Sequence, residues 1–277
     1  MKRQRIVSLL LAVFCILWTS GCKGNRGSAE APTTEVVVFA AASMTETLTE
    51  LGERYQATHP EVRLVFNFDS SGTLTTQIQE GAVCDVFLSA GQPQMDQLDI
   101  TALVTQNPDG LDCILEGTRF NLLENKVVLA VPDGNPAGID SFEDMKYRLT
   151  DGSLFMAMGG SDVPVGQYTQ ALLTWLDLNE EELARGGCIT YASNVKEITT
   201  QIQEAVVDCG VVYQTDAISA GLLVADTASP DMCGQVIYPI AVIKSSMVPE
   251  AAQDFLDYLT GDEADAVFSQ AGFSPIA

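Results

Sequence analysis

Short apolar runs alternate with amphipathic segments along most of this chain, and that alternation restricts its fold more than any other feature. Residues 36–40 form a continuous β-branched and apolar run, as expected of a strand buried on both faces of a sheet. Residues 44–58 follow, with apolar positions at the spacing of one helical face. Strands that alternate with helices predict parallel sheets covered by helices on both sides.

The alternation occurs twice. The first set of predicted elements is 36–40, 44–58, 62–68, 73–80 and 85–90. The second set has strands at 126–131, 154–158, 189–192 and 210–213, with helices at 167–178 and 195–207. A strand at 236–243 is expected to pair with 126–131, and helices at 249–259 and 263–271 follow it. We therefore predict an α/β protein of two similar lobes, each a mostly parallel sheet flanked by helices, joined by two crossover segments.

A short internal similarity supports two related lobes. The hexapeptide at 75–80 (TTQIQE) recurs at 199–204, each time as a predicted helix that leads into an apolar strand. Shared amphipathic composition could explain the identity by itself. The equivalent position of the two copies favours the interpretation that each belongs to the same place in its own lobe.

The amino terminus is typical of an export signal. Basic residues at positions 2, 3 and 5 precede an apolar run at 6–18, which is shorter than the roughly 20 residues that span a bilayer. We predict a signal peptide at 1–21 and a polar, flexible tether at 22–34. Lobe I is expected to comprise 35–124 and 244–277, and lobe II 125–243 including hinge strands.

The four residues that end at Cys22 (TSGC) resemble the cleavage motif of bacterial lipoproteins. In that family the cysteine is acylated, which implies a lipid anchor at Cys22 on the outer face of the cell membrane. Thr19 stands where the family usually carries Leu, so a plain thiol near a signal-peptidase site is the alternative interpretation.

Charge and composition exclude several classes of function. The formal net charge is −23, which argues against a nucleic-acid partner because phosphate backbones are bound by Lys and Arg. His59 is the only histidine, and its position in a polar His-Pro turn does not suit a general base, so an enzyme is not expected. Beyond Cys22, five cysteines match no zinc spacing and leave the disulfide state open: Cys84, Cys113, Cys188, Cys209 and Cys233.

Four predicted helix starts carry the chemistry, at 39–46, 68–74, 162–168 and 193–197. Only the last of them contains a Lys or Arg. Unpaired N–H groups at helix starts, with serine hydroxyls, can hold an anion without formal cations. Such donors favour a fully deprotonated ion, because a protonated phosphate also needs an acceptor for its own O–H. At the first start, Ser43 and Glu46 have the spacing of a capping box.

These segments resemble the periplasmic molybdate-binding proteins of ABC transporters, which have the type II periplasmic-binding-protein fold. The motifs run in order over nearly the whole mature chain: FAAAS at 39–43, FDSSGTLTTQIQEGA at 68–82, DVFLSA at 85–90, VPVGQY at 163–168, GVVYQTDA at 210–217 and YPIAVI at 238–243. In that family two serines, two backbone amides and a tyrosine hold the oxyanion. The matching positions here are Ser43, Ser71, Val165, Val195 and Tyr213. The alternative is that the serines are only helix caps and that Tyr213 is an ordinary strand-end aromatic residue.

The resemblance implies a function without catalysis, cofactor or metal cation. We expect an extracytoplasmic monomer that binds molybdate or tungstate with high affinity by lobe closure and delivers it to an ABC permease. Two alternatives stay open, a receptor for phosphate or sulfate and a ligand-binding sensor module without a transporter. Asp69 bears on the first, because its carboxylate could accept the proton of hydrogen phosphate. Otherwise Asp69 is expected to point away and cap a neighbouring amide.

Overall fold

A computed structural model describes residues 33–276 of the chain. The predicted signal peptide, the predicted lipidation site Cys22 and nearly all of the predicted tether lie outside these residues. Within residues 33–276, no helix is both long and apolar enough to cross a bilayer.

The described residues contain eleven strands and eleven α-helices. The strands are β1 (Thr34–Ala41), β2 (Val62–Asp69), β3 (Val86–Leu88), β4 (Phe120–Asn125), β5 (Val127–Val131), β6 (Met156–Gly159), β7 (Ile189–Ala192), β8 (Cys209–Tyr213), β9 (Leu223–Thr227), β10 (Val236–Val242) and β11 (Ser274–Pro275). The helices are α1 (Thr45–Thr58), α2 (Ser71–Gln79), α3 (Gln92–Asp96), α4 (Phe142–Asp151), α5 (Pro164–Trp175), α6 (Glu180–Arg185), α7 (Val195–Gln203), α8 (Gln214–Ser219), α9 (Pro230–Cys233), α10 (Pro249–Leu259) and α11 (Asp262–Ala271). A short 3-10 turn, Ala42–Met44, precedes α1.

The first lobe is built on a six-stranded sheet with the order β11-β4-β10-β3-β1-β2. Strand β1 lies between β3 and the edge strand β2 and runs parallel to both. Strand β10 runs antiparallel to β3 and β4. The predicted pairing of residues 236–243 with 126–131 is therefore wrong, and β10 lies in the first sheet rather than with lobe II. An apolar run indicates a buried strand but does not specify its partner strand, so the pattern alone could not assign β10 to the correct sheet.

The second lobe is built on a five-stranded sheet with the order β7-β6-β8-β5-β9. Strand β6 runs parallel to β7 and β8, whereas β5 runs antiparallel to β8 and β9. The chain passes from the first sheet to the second between β4 and β5, and it returns between α9 and β10. The predicted class of two α/β lobes flanked by helices is confirmed, but both sheets are mixed rather than mostly parallel.

The internal hexapeptide repeat occupies equivalent places in the two lobes. Helix α2 follows β2, the edge strand beside β1, and α7 follows β7, the edge strand beside β6. Each helix has nine residues and ends at a glutamate with φ −78° and ψ 0°. The two helices therefore present their first residues, Ser71 and Val195, at the corresponding edge of each lobe.

Burial explains which segments the sequence predicted well. Helix α1 buries the side chains predicted for its apolar face, including Leu48, Leu51 and Tyr55, each at most 1 % exposed. Strand β9 was not predicted, and it is largely exposed and carries polar residues. Strand β4 and helix α4 were also missed, since their apolar positions are interrupted by polar ones.

Candidate functional site

The two lobes face each other across a small cavity. Strands β1, β2 and β3 end at one edge of the first sheet, and β6, β7 and β8 end at one edge of the second. The space between the lining atoms, including the part that opens to solvent, is about 210 Å³. Its lining residues come from both lobes: Ala41, Ala42, Ser43, Asp69, Ser70, Ser71, Ala90, Val163, Pro164, Val165, Val195 and Tyr213.

The structure brings all of the predicted ligand-binding residues to this one cavity. Ser43 and Ser71 line it from the first lobe, and Val165, Val195 and Tyr213 line it from the second. Each is buried, with at most 4 % of its surface exposed. In the sequence these residues are up to 170 positions apart, so the fold alone makes them neighbours.

Ser43 is not a helix cap, and the predicted capping box with Glu46 is wrong. It lies inside the 3-10 turn, and Met44 precedes α1 without a side-chain cap. The Ser43 hydroxyl instead lies 2.9 Å from the hydroxyl of Tyr238 in β10. All three residues of the turn are buried, and α1 begins only at Thr45, two residues after the serine.

Ser71 is also free of a capping role, because the preceding serine supplies the cap. Ser70 Oγ accepts a hydrogen bond from the backbone N–H of Thr73 at 3.2 Å. Ser71 Oγ accepts one from the backbone N–H of Ala90 at 2.9 Å. That bond uses a lone pair of Ser71, so its hydroxyl hydrogen stays available for a guest in the cavity.

The second lobe presents two helix starts to the cavity. Val165 is the second residue of α5, after Pro164, and Val195 is the first residue of α7. Backbone N–H groups in a first helical turn have no partner inside the helix. The Asn194 side chain caps α7 through Glu197 N, at 3.1 Å, and so leaves the Val195 amide uncapped. Both helix starts thus add donors and positive partial charge.

Tyr213 ends β8 and reaches across to the first lobe. Its hydroxyl donates to the carbonyl oxygen of Ala90 over 3.4 Å, a long hydrogen bond. Burial raises the pKa of the Tyr213 phenol well above its usual value, so the hydroxyl keeps its proton at neutral pH. The Ala90 backbone therefore contacts two of the three predicted hydroxyl ligands, Ser71 through its N–H and Tyr213 through its carbonyl.

Asp69 is the only charged residue that lines the cavity. It is partly exposed, and its Oδ1 accepts the backbone N–H of Ser70 at 2.7 Å. The prediction that Asp69 caps a neighbouring amide is confirmed. The prediction that it points away from the site is wrong, because Asp69 lines the cavity and brings a negative charge to it.

The lobes also meet around the cavity rim. Lys196 of α7 lies 2.7 Å from Glu46 of α1. Gln94 of α3 donates to Gln167 of α5 over 3.1 Å. An ideal Cβ atom placed on Gly72 would lie 2.0 Å from the carbonyl oxygen of Asp162. These contacts describe a cleft that is closed over the cavity.

The donor set is neutral and offers no place for a metal cation. Among the lining residues, all of which lie in the described part of the chain, no side chain is cationic. Within residues 33–276, no group of three or more His, Cys, Asp or Glu side chains is arranged to bind a metal ion. The five cysteines of this part are unpaired thiols.

Sequence reasoning missed three residues that shape this site. Tyr238 belongs to the quoted YPIAVI motif but was interpreted only as part of a strand, and Asn125 ends the unpredicted strand β4. Gly72 was interpreted only as part of the helix start at 68–74. The motif itself was the available signal for Tyr238, whereas Asn125 and Gly72 act through contacts that no local pattern reveals.

Comparisons with known proteins agree with this architecture. The sequence pattern of the family described as bacterial extracellular solute-binding protein matches residues 36–274. The molybdate-binding protein ModA of Mycobacterium tuberculosis is 32% identical over 244 residues, covering 86% of this chain and 84% of that protein.

Two solved structures show the same fold. The periplasmic molybdate-binding protein of Azotobacter vinelandii superposes with a TM-score of 0.73 at 22% identity, over 87% of this chain and 100% of that one. The sulfate-binding protein SubI of M. tuberculosis superposes with a TM-score of 0.66 at 17% identity, over 88% of this chain and 87% of that one.

The predicted resemblance to molybdate-binding proteins is confirmed by these relatives. The family and its relatives bind solutes and are not enzymes, so the expectation of a non-catalytic protein is also confirmed. The family is extracellular, which agrees with the predicted extracytoplasmic location. The chain belongs to the bacterial extracellular solute-binding protein family.

Proposed function

We propose that this protein binds molybdate or tungstate outside the cytoplasm and delivers it to the permease of an ABC transporter. The observation that carries the proposal is the buried cavity between the lobes, lined by hydroxyl and amide donors and by no cationic side chain. Hydroxyls of Ser43, Ser71 and Tyr213 and the amides of Val165 and Val195 are the proposed ligands of the oxyanion.

The donor set suits a tetrahedral ion that carries no proton. Ser71 already accepts a hydrogen bond from Ala90, so it offers the guest its hydrogen. Helix starts add N–H groups and partial positive charge from the opposite side. A dianion must recover the free energy of its lost hydration shell, which requires donors on all sides and hence closure of both lobes.

The relatives support molybdate over sulfate. Sulfate is also a fully deprotonated dianion, so hydrogen-bond donors alone do not separate the two ions. ModA of M. tuberculosis, which is named for molybdate, is 32% identical to this chain, whereas a sulfate-binding protein of Synechococcus elongatus is 23% identical.

Asp69 favours a second candidate ligand, hydrogen phosphate. A carboxylate beside the cavity could accept the proton of that ion, and it opposes a dianion by charge repulsion. The hydrogen bond from Ser70 N–H to Asp69 Oδ1 supports molybdate or tungstate, because the carboxylate already accepts a hydrogen bond from its neighbour. We therefore place hydrogen phosphate second.

Delivery involves the membrane. Acylation at Cys22 would anchor the monomeric protein to the outer face of the cell membrane, with the residues before Thr34 as a tether. Closure around the ion would then present a joined surface of both lobes to the permease. A sensor module without a transporter is the alternative, and adjacent permease and ATPase genes would distinguish the two.

Isothermal titration calorimetry of the purified protein with molybdate, tungstate, sulfate and phosphate tests the ligand. Calorimetry is preferable to intrinsic fluorescence because Trp175 is 55% exposed and lies outside the cavity lining. We expect molybdate or tungstate to bind most tightly. Binding of phosphate alone would mean that the ligand is phosphate rather than molybdate or tungstate. Absence of binding to all four oxyanions would refute the proposal.

A further inference from the structure

A chain of buried hydrogen bonds leads from the crossover between the lobes to Ser43. Asn125 ends β4 immediately before the first crossover, and its Nδ2 lies 3.2 Å from Tyr238 Oη. Tyr238 Oη in turn lies 2.9 Å from Ser43 Oγ. The same Asn125 Nδ2 lies 3.0 Å from Thr215 Oγ1 at the start of α8 in the second lobe. All four side chains are buried.

The orientation of the Asn125 amide is fixed by the backbone. Its Oδ1 accepts the N–H of Lys126 at 2.8 Å, which identifies the other end of the side chain as the NH₂ group. That group carries two hydrogens and has two neighbouring oxygens, those of Tyr238 and Thr215. Asn125 therefore donates to both.

The direction of the next bond follows from this one. Tyr238 Oη accepts from Asn125, so its own hydrogen is free to be donated to Ser43 Oγ. Burial raises the pKa of the Tyr238 phenol well above its usual value, so this hydrogen is present at neutral pH. Ser43 then accepts from Tyr238, and its hydroxyl hydrogen is left for the cavity that Ser43 lines.

We infer that Asn125 and Tyr238 are positioning residues that make Ser43 a hydrogen-bond donor toward the bound oxyanion. This inference rests on the proposed function of the cavity as an oxyanion site. Neither residue lines the cavity, so both act through Ser43. Their effect is to favour a guest whose oxygens all accept, and to disfavour one that must donate a proton to Ser43.

A double-mutant cycle tests the inference. Molybdate, sulfate and phosphate are titrated by calorimetry into the wild type, Tyr238→Phe, Ser43→Ala and the double variant. Tyr238→Phe should weaken binding of the preferred dianion by about three- to tenfold, because Ser43 loses the bond that orients it. In the Ser43→Ala background the same substitution should have no further effect.

The phosphate titration gives a readout that a merely structural role would not change. Without Tyr238 Oη, Ser43 can rotate and accept the proton of hydrogen phosphate, so the preference for the dianion over phosphate should fall. Tyr55→Phe is the matched control, because Tyr55 is equally buried but lies in α1 with its ring against His59 and Phe255. It should leave affinity and preference unchanged.

Asn125→Asp is a second variant that keeps the shape of the side chain. The new carboxylate can only accept, so Tyr238 would donate to it and Ser43 would donate to Tyr238, turning a lone pair toward the guest. Dianion affinity should fall by about ten- to a hundredfold, and Ser43→Ala should remove part of that loss.

The outcomes separate the two proposals. A wild type that binds none of these oxyanions refutes the proposed function. The positioning role alone is overturned if the wild type binds one of these oxyanions and Tyr238→Phe and Asn125→Asp weaken binding equally whether residue 43 is Ser or Ala. An unchanged affinity in both single variants overturns it as well.

Discussion

Gly72→Ala should separate ligand affinity from the stability of the fold. Gly72 is the second residue of α2 in the first lobe, and Asp162 lies just before α5 in the second. A Cβ atom on Gly72 would lie 2.0 Å from the Asp162 carbonyl oxygen and 2.9 Å from its carbonyl carbon. Both partners of this contact are backbone, so no side-chain rotation relieves it.

The expected magnitude follows from that overlap. Non-bonded heavy atoms prefer a separation of about 3.5 Å, so the lobes would have to part by more than about 1 Å at this point. Overpacking of this kind costs about 1–3 kcal/mol, which corresponds to a loss of affinity of about five- to 150-fold. In the open protein the contact is absent, and alanine in the helix should add about 0.5–1 kcal/mol of stability.

Titration calorimetry and thermal unfolding of the ligand-free protein measure the two effects. Gly160→Ala is the matched control in the facing loop, because its Cβ would meet a side-chain atom, Asp162 Oδ1, at 3.1 Å and the Ala192 carbonyl oxygen at an ordinary contact distance of 3.9 Å. We expect a higher or equal Tm and weaker binding for Gly72→Ala, with near-normal binding for the control. Wild-type affinity in Gly72→Ala would refute the argument that binding requires this close approach of the lobes.

Three further predictions concern single side chains. Tyr213→Phe should weaken oxyanion binding by about 1–3 kcal/mol in calorimetry, since a buried ligand oxygen would lose its donor; unchanged affinity would remove Tyr213 from the site. Asp69→Asn should tighten molybdate binding, most strongly at low salt, because it removes a negative charge beside the cavity; weaker molybdate binding would contradict this. Burial raises the pKa of Asp216 to about 6, and this effect outweighs the opposite effect of the nearby Lys196 ammonium. The folded state therefore holds the proton more tightly than the unfolded state, and wild-type stability should fall by about 2 kcal/mol from this group as pH rises from about 4 to about 6. In urea unfolding over that range, the free energy of unfolding should fall less for Asp216→Asn than for the wild type. Equal pH dependence in the two proteins would exclude Asp216 as the source of the fall.

The lobe architecture was predictable because each lobe buries continuous apolar strands under amphipathic helices. Strand pairing was not, since β5 and β10 are both buried apolar runs and nothing local marks β10 as a partner of β3 and β4. Helix starts were predicted at the right residue for α7 and α10, but only at the right segment for α1 and α2. The cap of α2 is Ser70 rather than Ser71, and Ser43 precedes its helix inside a 3-10 turn. The order of motifs, through the family resemblance, led to the five predicted site residues, and the fold brings all five to one cavity.

The hydrogen-bond pattern indicates an order of events for the proposed binding cycle. Ser43 and Ser71 accept hydrogen bonds from Tyr238 Oη and from the Ala90 N–H, respectively. Both of these donors belong to the first lobe. The two serines are thus oriented toward the cavity before the second lobe contributes anything. Tyr213, by contrast, holds only a long bond to the Ala90 carbonyl, which a charged oxygen can replace with a shorter and stronger one. The oxyanion should therefore dock on the first lobe, and the gain in free energy at Tyr213 and at the two helix starts should favour the closed form over the open one.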